Sequence, residues 1–495
     1  MTALPARTRQ PLLFIGAAVL IVLFRSFVPA YYEGFYFDSD QAIVGLMARH
    51  VSTLHRFPLY YYGLNYLMGV QAWLIAPFFW IFRPSVTVMR LPLVLLNAGV
   101  AAWLIAGLGK RLRLTPAVAF VAALPFIVPT PAMSSQLLEM AGASIEPFVY
   151  VLLLWQLRRR PFAYGCVLAF GTLHREFTLF ALPAMLVVEA FSGELWDRAN
   201  LRRGSWMIAG FALVWLIVDD LRMRQTGASL ALQVSSLGGQ MCFDATLPRR
   251  IESVLLRALP AVFGGLRAPL VAWRMNSTLE IGRAWVWWLL SATLIAMLVR
   301  LLQIRWRAVA ERSTLRPSQK TTGEGFGLYL AGVGALAACA YPLSCNVVFD
   351  YAPLLRYLPF TLLLPVGIFA TFMMREPSRL GRALAVSVFL LLGMLNALDN
   401  GRLVVSAIRN RPESEHRMLV NYLTGHHIRY ATAIYWDAYV LDFLSQERIT
   451  VASSDVIRIP EYQNEVEAHA QDSVNLARLP CSGYDTVASW CIQRR

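Results

Sequence analysis

Residues 11–50 read PLLFIGAAVLIVLFRSFVPAYYEGFYFDSDQAIVGLMARH. Positions 12–29 form an apolar run preceded by Arg7 and Arg9, long enough to enter a bilayer. The run lacks a small-residue cleavage site and ends in aromatics, so it reads as an uncleaved first span with the N-terminus in the cytoplasm. Asp38 and Asp40 follow at once, which places two carboxylates at the membrane rim. Ile43, Leu46, Met47 and His50 then recur at helical spacing. Two readings of the carboxylates stand side by side. In one, Asp38 caps the helix, Gln41 reaches back, and Asp40 complements the positive helix end. In the other, Asp40, with Asp38 as second choice, carries chemistry at the membrane surface.

Working outward, similar runs recur to position 398, and 57% of the 495 residues are hydrophobic against 15% charged. A soluble chain could not bury that much apolar side chain, so the composition predicts a polytopic membrane protein. The formal charge of +15 is not a nucleic-acid footprint, because it sits in short clusters between apolar runs, such as Lys110-Arg111-Leu112-Arg113 and Arg158-Arg159-Arg160. Such clusters belong on the cytoplasmic side. Keeping both clusters inside requires the aromatic stretch 66–82 to lie on the outer face as an interfacial helix. The remaining runs then alternate: 91–108, 115–128, 147–157, 162–172, 177–191, 206–218, 285–302, 326–343, 354–374 and 383–398. With 12–29 they make about eleven transmembrane helices, N-terminus inside and C-terminus outside. The domain division expected is 1–399 for the membrane part, with a first outer loop at 31–90, and 400–495 for a soluble, extracytoplasmic α/β domain. In the tail, 428–435 and 448–452 read as strands and 437–446 as a helix. Cys242, Cys345, Cys481 and Cys491 all fall on the outer side, where disulfides persist; Cys481–Cys491 and Cys242–Cys345 are the expected pairs.

Further groups could carry chemistry. His174-Arg175-Glu176 interrupts apolar sequence, and Arg356 opens an inward span. Ionisable residues at such depths are costly and often functional, although a polar turn and a snorkelling anchor explain them equally well. Glu139 and Glu146 lie in an outer loop, where solvation alone accounts for either. Tyr60-Tyr61-Tyr62 suits an aromatic interface belt or a sugar platform.

The segment 38–90, with Ser39-Asp40-Gln41-Ala42, Phe57-Pro58-Leu59-Tyr60-Tyr61-Tyr62-Gly63 and Leu67-Met68-Gly69, resembles the start of bacterial GT-C glycosyltransferases, the relatives of protein O-mannosyltransferases and of lipid A aminoarabinose transferase. Arg356-Tyr357-Leu358-Pro359 resembles the opening of a late span in that group, and Tyr435-Trp436-Asp437-Ala438-Tyr439 the tail of some members. The resemblance implies a GT-C fold in the bacterial inner membrane. It also implies inverting transfer of a sugar from a polyprenyl-phosphate carrier to a lipid, glycan or protein acceptor in the cell envelope, with membrane lipids as surroundings. Asp40 would be the base; Arg356, Arg175 and His174 would bind the donor phosphate; Glu139, Tyr61, Tyr62 and Gln71 would line the substrate site. Gln41 and Gln71 stand where the group often has Glu, so no cofactor is assigned and a divalent metal is left open. The alternatives are a transporter or flippase of lipid-linked sugars, and an inactive GT-C scaffold. A transporter calls for charges at the bilayer midplane and inverted repeats, and neither is visible in the sequence.

Overall fold

The computed structural model describes residues 6–64, 66–141, 145–192, 198–226, 241–264, 284–312, 324–347, 355–480 and 485–494. It is mostly helical, with a small mixed sheet at the C-terminus. The membrane part begins with α1 (Ala6–Tyr31), α2 (Ser39–Ser52), α3 (Val70–Ile81), α4 (Val86–Leu112), α5 (Pro116–Ile127) and α6 (Pro131–Gln136). There follow α7 (Glu146–Leu157), α8 (Pro161–His174), α9 (Ala181–Phe191), α10 (Arg198–Thr226), α11 (Leu247–Ser253) and α12 (Leu259–Phe263). It closes with α13 (Ala284–Arg312), α14 (Glu324–Ala340), α15 (Leu363–Arg375) and α16 (Arg379–Arg409).

Among the described residues, six helices are long and apolar enough to cross a membrane: Gln10–Tyr31, Val86–Leu112, Arg202–Gln225, Ala284–Arg307, Gly325–Leu343 and Arg379–Arg409. The other expected spans are shorter or broken. The helix α5 has 12 residues, α7 12, α8 14 and α9 11, and a 12-residue helix rises only about 18 Å. Two of these runs open with 3₁₀ turns, at Glu176–Phe180 before α9 and at Leu355–Tyr357 and Pro359–Leu362 before α15. Irregular backbone at membrane depth survives where it is packed in protein or lines a cavity.

The ends of the bundle are chemically distinct. At one end, Arg90 near the start of α4 donates to the carbonyls of Pro29 and Tyr36, and Thr87 Oγ1 donates to Tyr31 O at 3.2 Å. The segment between α1 and α4 therefore leaves and returns at the same end of that helix pair. The far end of α4 carries Arg111, which together with Arg159 and Arg203 lies within electrostatic reach of Arg158. Arg300 of α13 donates to Glu376, just after α15, at 2.9 Å.

The helix α16 runs through Asn400 to Arg409 without a break. Buried Asn396 and Asn400 donate to Val128 O at 3.2 Å and Pro129 O at 3.0 Å, satisfying carbonyls that the end of α5 leaves unpaired. The tail holds α17 (Glu415–Gly425), β1 (Tyr430–Ala433), α18 (Tyr435–Ser445), β2 (Thr450–Ser453), α19 (Pro460–Ala468), β3 (Ser473–Arg478), β4 (Asp485–Val487) and β5 (Trp490–Arg494). The sheet order is β2-β1-β3-β5-β4, parallel over the first three strands and antiparallel over the last two. The Cys242–Cys345 disulfide is formed, with Cα atoms 5.1 Å apart. Cys491 is also disulfide-bonded; its expected partner, Cys481, lies outside the described residues.

This tail grips the first loop. The helix α18 packs on α2, where a Cβ on Gly45 would come within 2.5 Å of the Phe443 ring, so the close approach requires glycine. Arg417 forks onto Glu33 at 3.0 and 2.6 Å. Glu447 accepts from Arg49 and pairs with His50 at 2.9 Å, and Arg458 reaches Gly63 O at 2.9 Å.

Candidate active site at the rim of α2

The N-terminus of α2 gathers the carboxylates. Asp38 is the N-cap, its Oδ1 accepting from Gln41 N at 3.1 Å. Gln41 is buried, donates to Tyr36 O at 3.4 Å, and accepts from Arg90 at 3.1 Å. Arg90 is the hub of this loop: its guanidinium also bonds the Pro29, Phe35 and Tyr36 carbonyls. Tyr36 takes a left-handed backbone conformation, φ 44°, and its phenol donates to Glu139 Oε1 at 3.3 Å. The loop after α6 thereby brings Glu139 beside Asp38 and Asp40.

Crowding three carboxyl groups in a buried place disfavours their charge. Burial, then the neighbouring Asp40, pushes the Asp38 carboxyl up to about 6. Burial and Asp38 push Glu139 up to about 8, against the pull of the Arg356 cation. Asp40 is held differently. Its side chain accepts a short hydrogen bond from the Tyr435 phenol, and its carbonyl accepts from Tyr61 at 3.0 Å.

Arg175 and Arg356 line one small, partly open cavity, together with Pro147, Phe148, Phe177, Phe180, Tyr357 and Phe360. Arg175 spends one nitrogen on Ala141 O at 3.2 Å. Among the described residues its Nε and Nη2, and Nε of Arg356, are buried without a hydrogen-bond partner. Arg356 joins the two halves of the site, since Glu139, Tyr36 and Asp40 all lie within its electrostatic reach. A cationic, aromatic-walled cavity thus borders the carboxylate group.

The other candidates are arranged around this core. Gln71 is buried and accepts from Ala141 N at 2.8 Å while donating to Glu146 at 3.4 Å, so it braces the loop that leads from Glu139 to α7. His174 bonds the Tyr150 hydroxyl at 2.9 Å through Nδ1. Tyr62 bonds His50 at 2.7 Å, at the end of α2 remote from Asp40, and belongs to the contact with the tail. Among the described residues no three His, Cys, Asp or Glu side chains converge as a metal site. Asp38 and Asp40 are each occupied by a hydrogen-bond donor, and the amides of Gln41 and Gln71 serve Arg90 and Ala141.

Sequence reasoning missed three residues of the site: Arg90, Tyr36 and Tyr435. Arg90 had a signal, a lone cation in the first turns of a long apolar helix. Tyr435 closes the expected strand 428–435 and opens the Tyr435-Trp436-Asp437-Ala438-Tyr439 motif, and nothing in its neighbourhood names Asp40 as its partner.

The chain is similar in structure to ArnT. The ArnT crystal structure from Cupriavidus metallidurans bound to undecaprenyl phosphate aligns over 97% of each chain at 13% identity and TM-score 0.45. The oligosaccharyltransferase of Archaeoglobus fulgidus, tethered to an acceptor peptide, aligns over 94% of this chain and 69% of its own at 12% identity and TM-score 0.47. The apo form of the same ArnT aligns over 99% and 98% at 12% identity and TM-score 0.41. These belong to the GT-C group that segment 38–90 resembles. No family model matches the sequence, and no curated protein does.

Proposed function

We propose that the chain is a membrane glycosyltransferase that takes a sugar from a polyprenyl-phosphate carrier. The observation that carries this reading is the meeting of two arginines in one aromatic cavity with a carboxylate group at its border. A lipid phosphate needs a cationic cradle at the membrane rim with an apolar wall beside it. Arg175 and Arg356 present unpartnered N–H groups there, and Phe148, Phe177, Phe180 and Phe360 supply the wall. The ligand of the ArnT structure, undecaprenyl phosphate, is of this chemical class.

The step is a displacement at the anomeric carbon. The acceptor's hydroxyl oxygen forms the new bond, its proton passes to the Asp40 carboxylate, and the bond from carbon to phosphate oxygen breaks. The carrier phosphate leaves with both bonding electrons, and the two guanidinium groups take up its growing charge. Attack opposite the leaving group inverts the configuration.

In this reading the loop and the tail face the outside and the basic ends of α4 and α7 face the cytoplasm. The short helices complete about eleven crossings, and the domain division lies between the membrane part at 1–399 and the tail at 400–495. Purified protein in lipid nanodiscs, given radiolabelled polyprenyl-phosphate sugars and envelope lipid extract, tests the activity. Transfer that is lost in Asp40→Asn supports the reading. Equal transfer by the variant removes Asp40 as base, and no transfer by the wild type with any donor turns the reading toward an inactive scaffold.

A further inference from the structure

The mechanism above leaves Tyr435 unused. It is the first residue of α18, buried, and it belongs to the tail, yet it touches the first two residues of α2. Ser39 Oγ donates to the Tyr435 carbonyl, and the Tyr435 phenol donates to Asp40 Oδ1. The residue is fixed from every side. Its amide donates to Asp455 at 2.6 Å, its ring meets Tyr439 edge-on at 5.6 Å, and the Arg458 guanidinium lies 5.6 Å from the ring centre. Such bracing is more than docking requires, since Ser39 and the Arg417, Glu447 and Arg458 contacts already hold the tail.

We propose that Tyr435 is a positioning residue that lends its phenolic O–H to the Asp40 carboxylate, fixing one oxygen and keeping the group ionised, so that the base is complete only when the C-terminal domain is docked on α2. This rests on the reading of Asp40 as base. The reason is local: Asp40 shares a crowded site with Asp38 and Glu139, each within electrostatic reach of it. Arg356 is a cation within reach, and it is shared with Glu139 and Tyr36. A neutral donor aimed at one oxygen favours the charged form without adding charge. Burial and Asp40 itself push the Tyr435 phenol up, so it stays protonated and stays the donor. Oδ1 is engaged and Oδ2 is the oxygen that receives the acceptor's proton.

The test reads the Asp40 carboxyl directly. Infrared titration of the full chain in nanodiscs, with carboxyl-labelled aspartate, yields the Asp40 band by difference from Asp40→Asn. Tyr435→Phe keeps the ring and every backbone contact while deleting the donor. Its Asp40 midpoint should rise by about one pH unit, the usual scale for losing a hydrogen bond to the charged form. A 3,5-difluorotyrosine at position 435, a stronger donor, should lower the midpoint and serves if the phenylalanine variant folds poorly. An unchanged or reversed midpoint overturns the proposal, and so does faster transfer by Tyr435→Phe, which would make the phenol a block on the base. The titration needs no substrate. Failure of transfer in the wild type would strike the glycosyltransferase reading while leaving this measurement to decide on Tyr435.

Discussion

Glu139 is the carboxyl group of the candidate site pushed furthest from its ordinary range. With its carboxyl pushed up to about 8 by burial and by Asp38, the folded protein holds a proton there that the unfolded chain releases near 4.5. Between those values the native state binds more protons than the unfolded state, so stability falls as pH rises through the window. Asp38, up at about 6, adds a smaller loss of the same sign between about 4 and 6. Glu139→Gln should therefore have a higher Tm than the wild type at pH 8 and nearly the same Tm at pH 5. A variant equally stable at both values would mean that Glu139 is not desolvated in the protein. Arg356 makes a second prediction. Its alanine variant should lower turnover as well as donor affinity, because charge on the departing phosphate grows toward the transition state. Lysine there should recover only part, since the fork geometry is lost. Single-turnover and saturation kinetics with a polyprenyl-phosphate sugar separate the two effects; loss confined to KM would place Arg356 in ground-state binding alone.

At the scale of elements, the disulfide between Cys242 and Cys345 ties the segment before α11 to the turn after α14. It spans 103 residues of chain, and its removal in Cys242→Ser should cost about 2–4 kcal/mol, measured as a lower Tm of the purified protein. Reductant should lower the wild-type Tm by more than it lowers that of the variant, which keeps only the disulfide of Cys491. This pair was legible from sequence, because both cysteines fall on one predicted side. So were the existence of α2, its Asp38 cap, and the strand–helix–strand start of the tail, since each follows from local pattern. So was the shortness of α5, α7, α8 and α9, because the runs 115–128, 147–157, 162–172 and 177–191 are already shorter than a full span; the 3₁₀ turns were not. Hydropathy sees an apolar run and cannot see that 3₁₀ turns replace helix at Glu176–Phe180 and Leu355–Tyr357, where the run bends around a cavity. Asn400, at the expected division of the chain, lies inside α16, and with Asn396 it is a buried donor to the carbonyls after α5, a role that spacing does not show. Asp40 and Arg356 were legible as candidates because charge beside apolar sequence is conspicuous. Their neighbours Tyr36, Arg90 and Tyr435 act through carbonyls and phenols brought together by tertiary contact, and no spacing announces that.

For the whole molecule the geometry constrains the sidedness of the chain. The end of α1 and the final turns of α16 pack together through Val28, Tyr32, Phe35, Leu403 and Ala407. Both helices therefore leave the bundle at the same end, and the number of crossings between them, counted with both, is odd. The segment between α1 and α4 returns to its starting end, so α3, only 12 residues long and packed on α2, need not cross. The opposite end collects Arg111, Arg158, Arg159 and Arg203. In the proposed reading that end is cytoplasmic, as positive-inside reasoning expects, and the Asp40 loop and the tail lie outside. The disulfide agrees, because an oxidising compartment is where such a bond persists. A reporter that works only outside the cytoplasm should thus be active when fused after Trp80 and after Asn410, and silent after Arg113 and after Arg160. Activity after Trp80 combined with silence after Asn410 would break the odd count. Silence at Trp80 with activity at Asn410 would instead make α3 a true span and put the start of α4 on the other side from the end of α1. That second outcome contradicts the contacts of Thr87 and Arg90 with the end of α1, and of Gln446 in the tail with Pro84. Charge-reversal of the Arg417–Glu33 pair settles the point, since Arg417→Glu should loosen the tail and the double exchange with Glu33→Arg should restore it. A double variant no tighter than the single one, measured by protease release of the tail, would mean that loop and tail do not share a side.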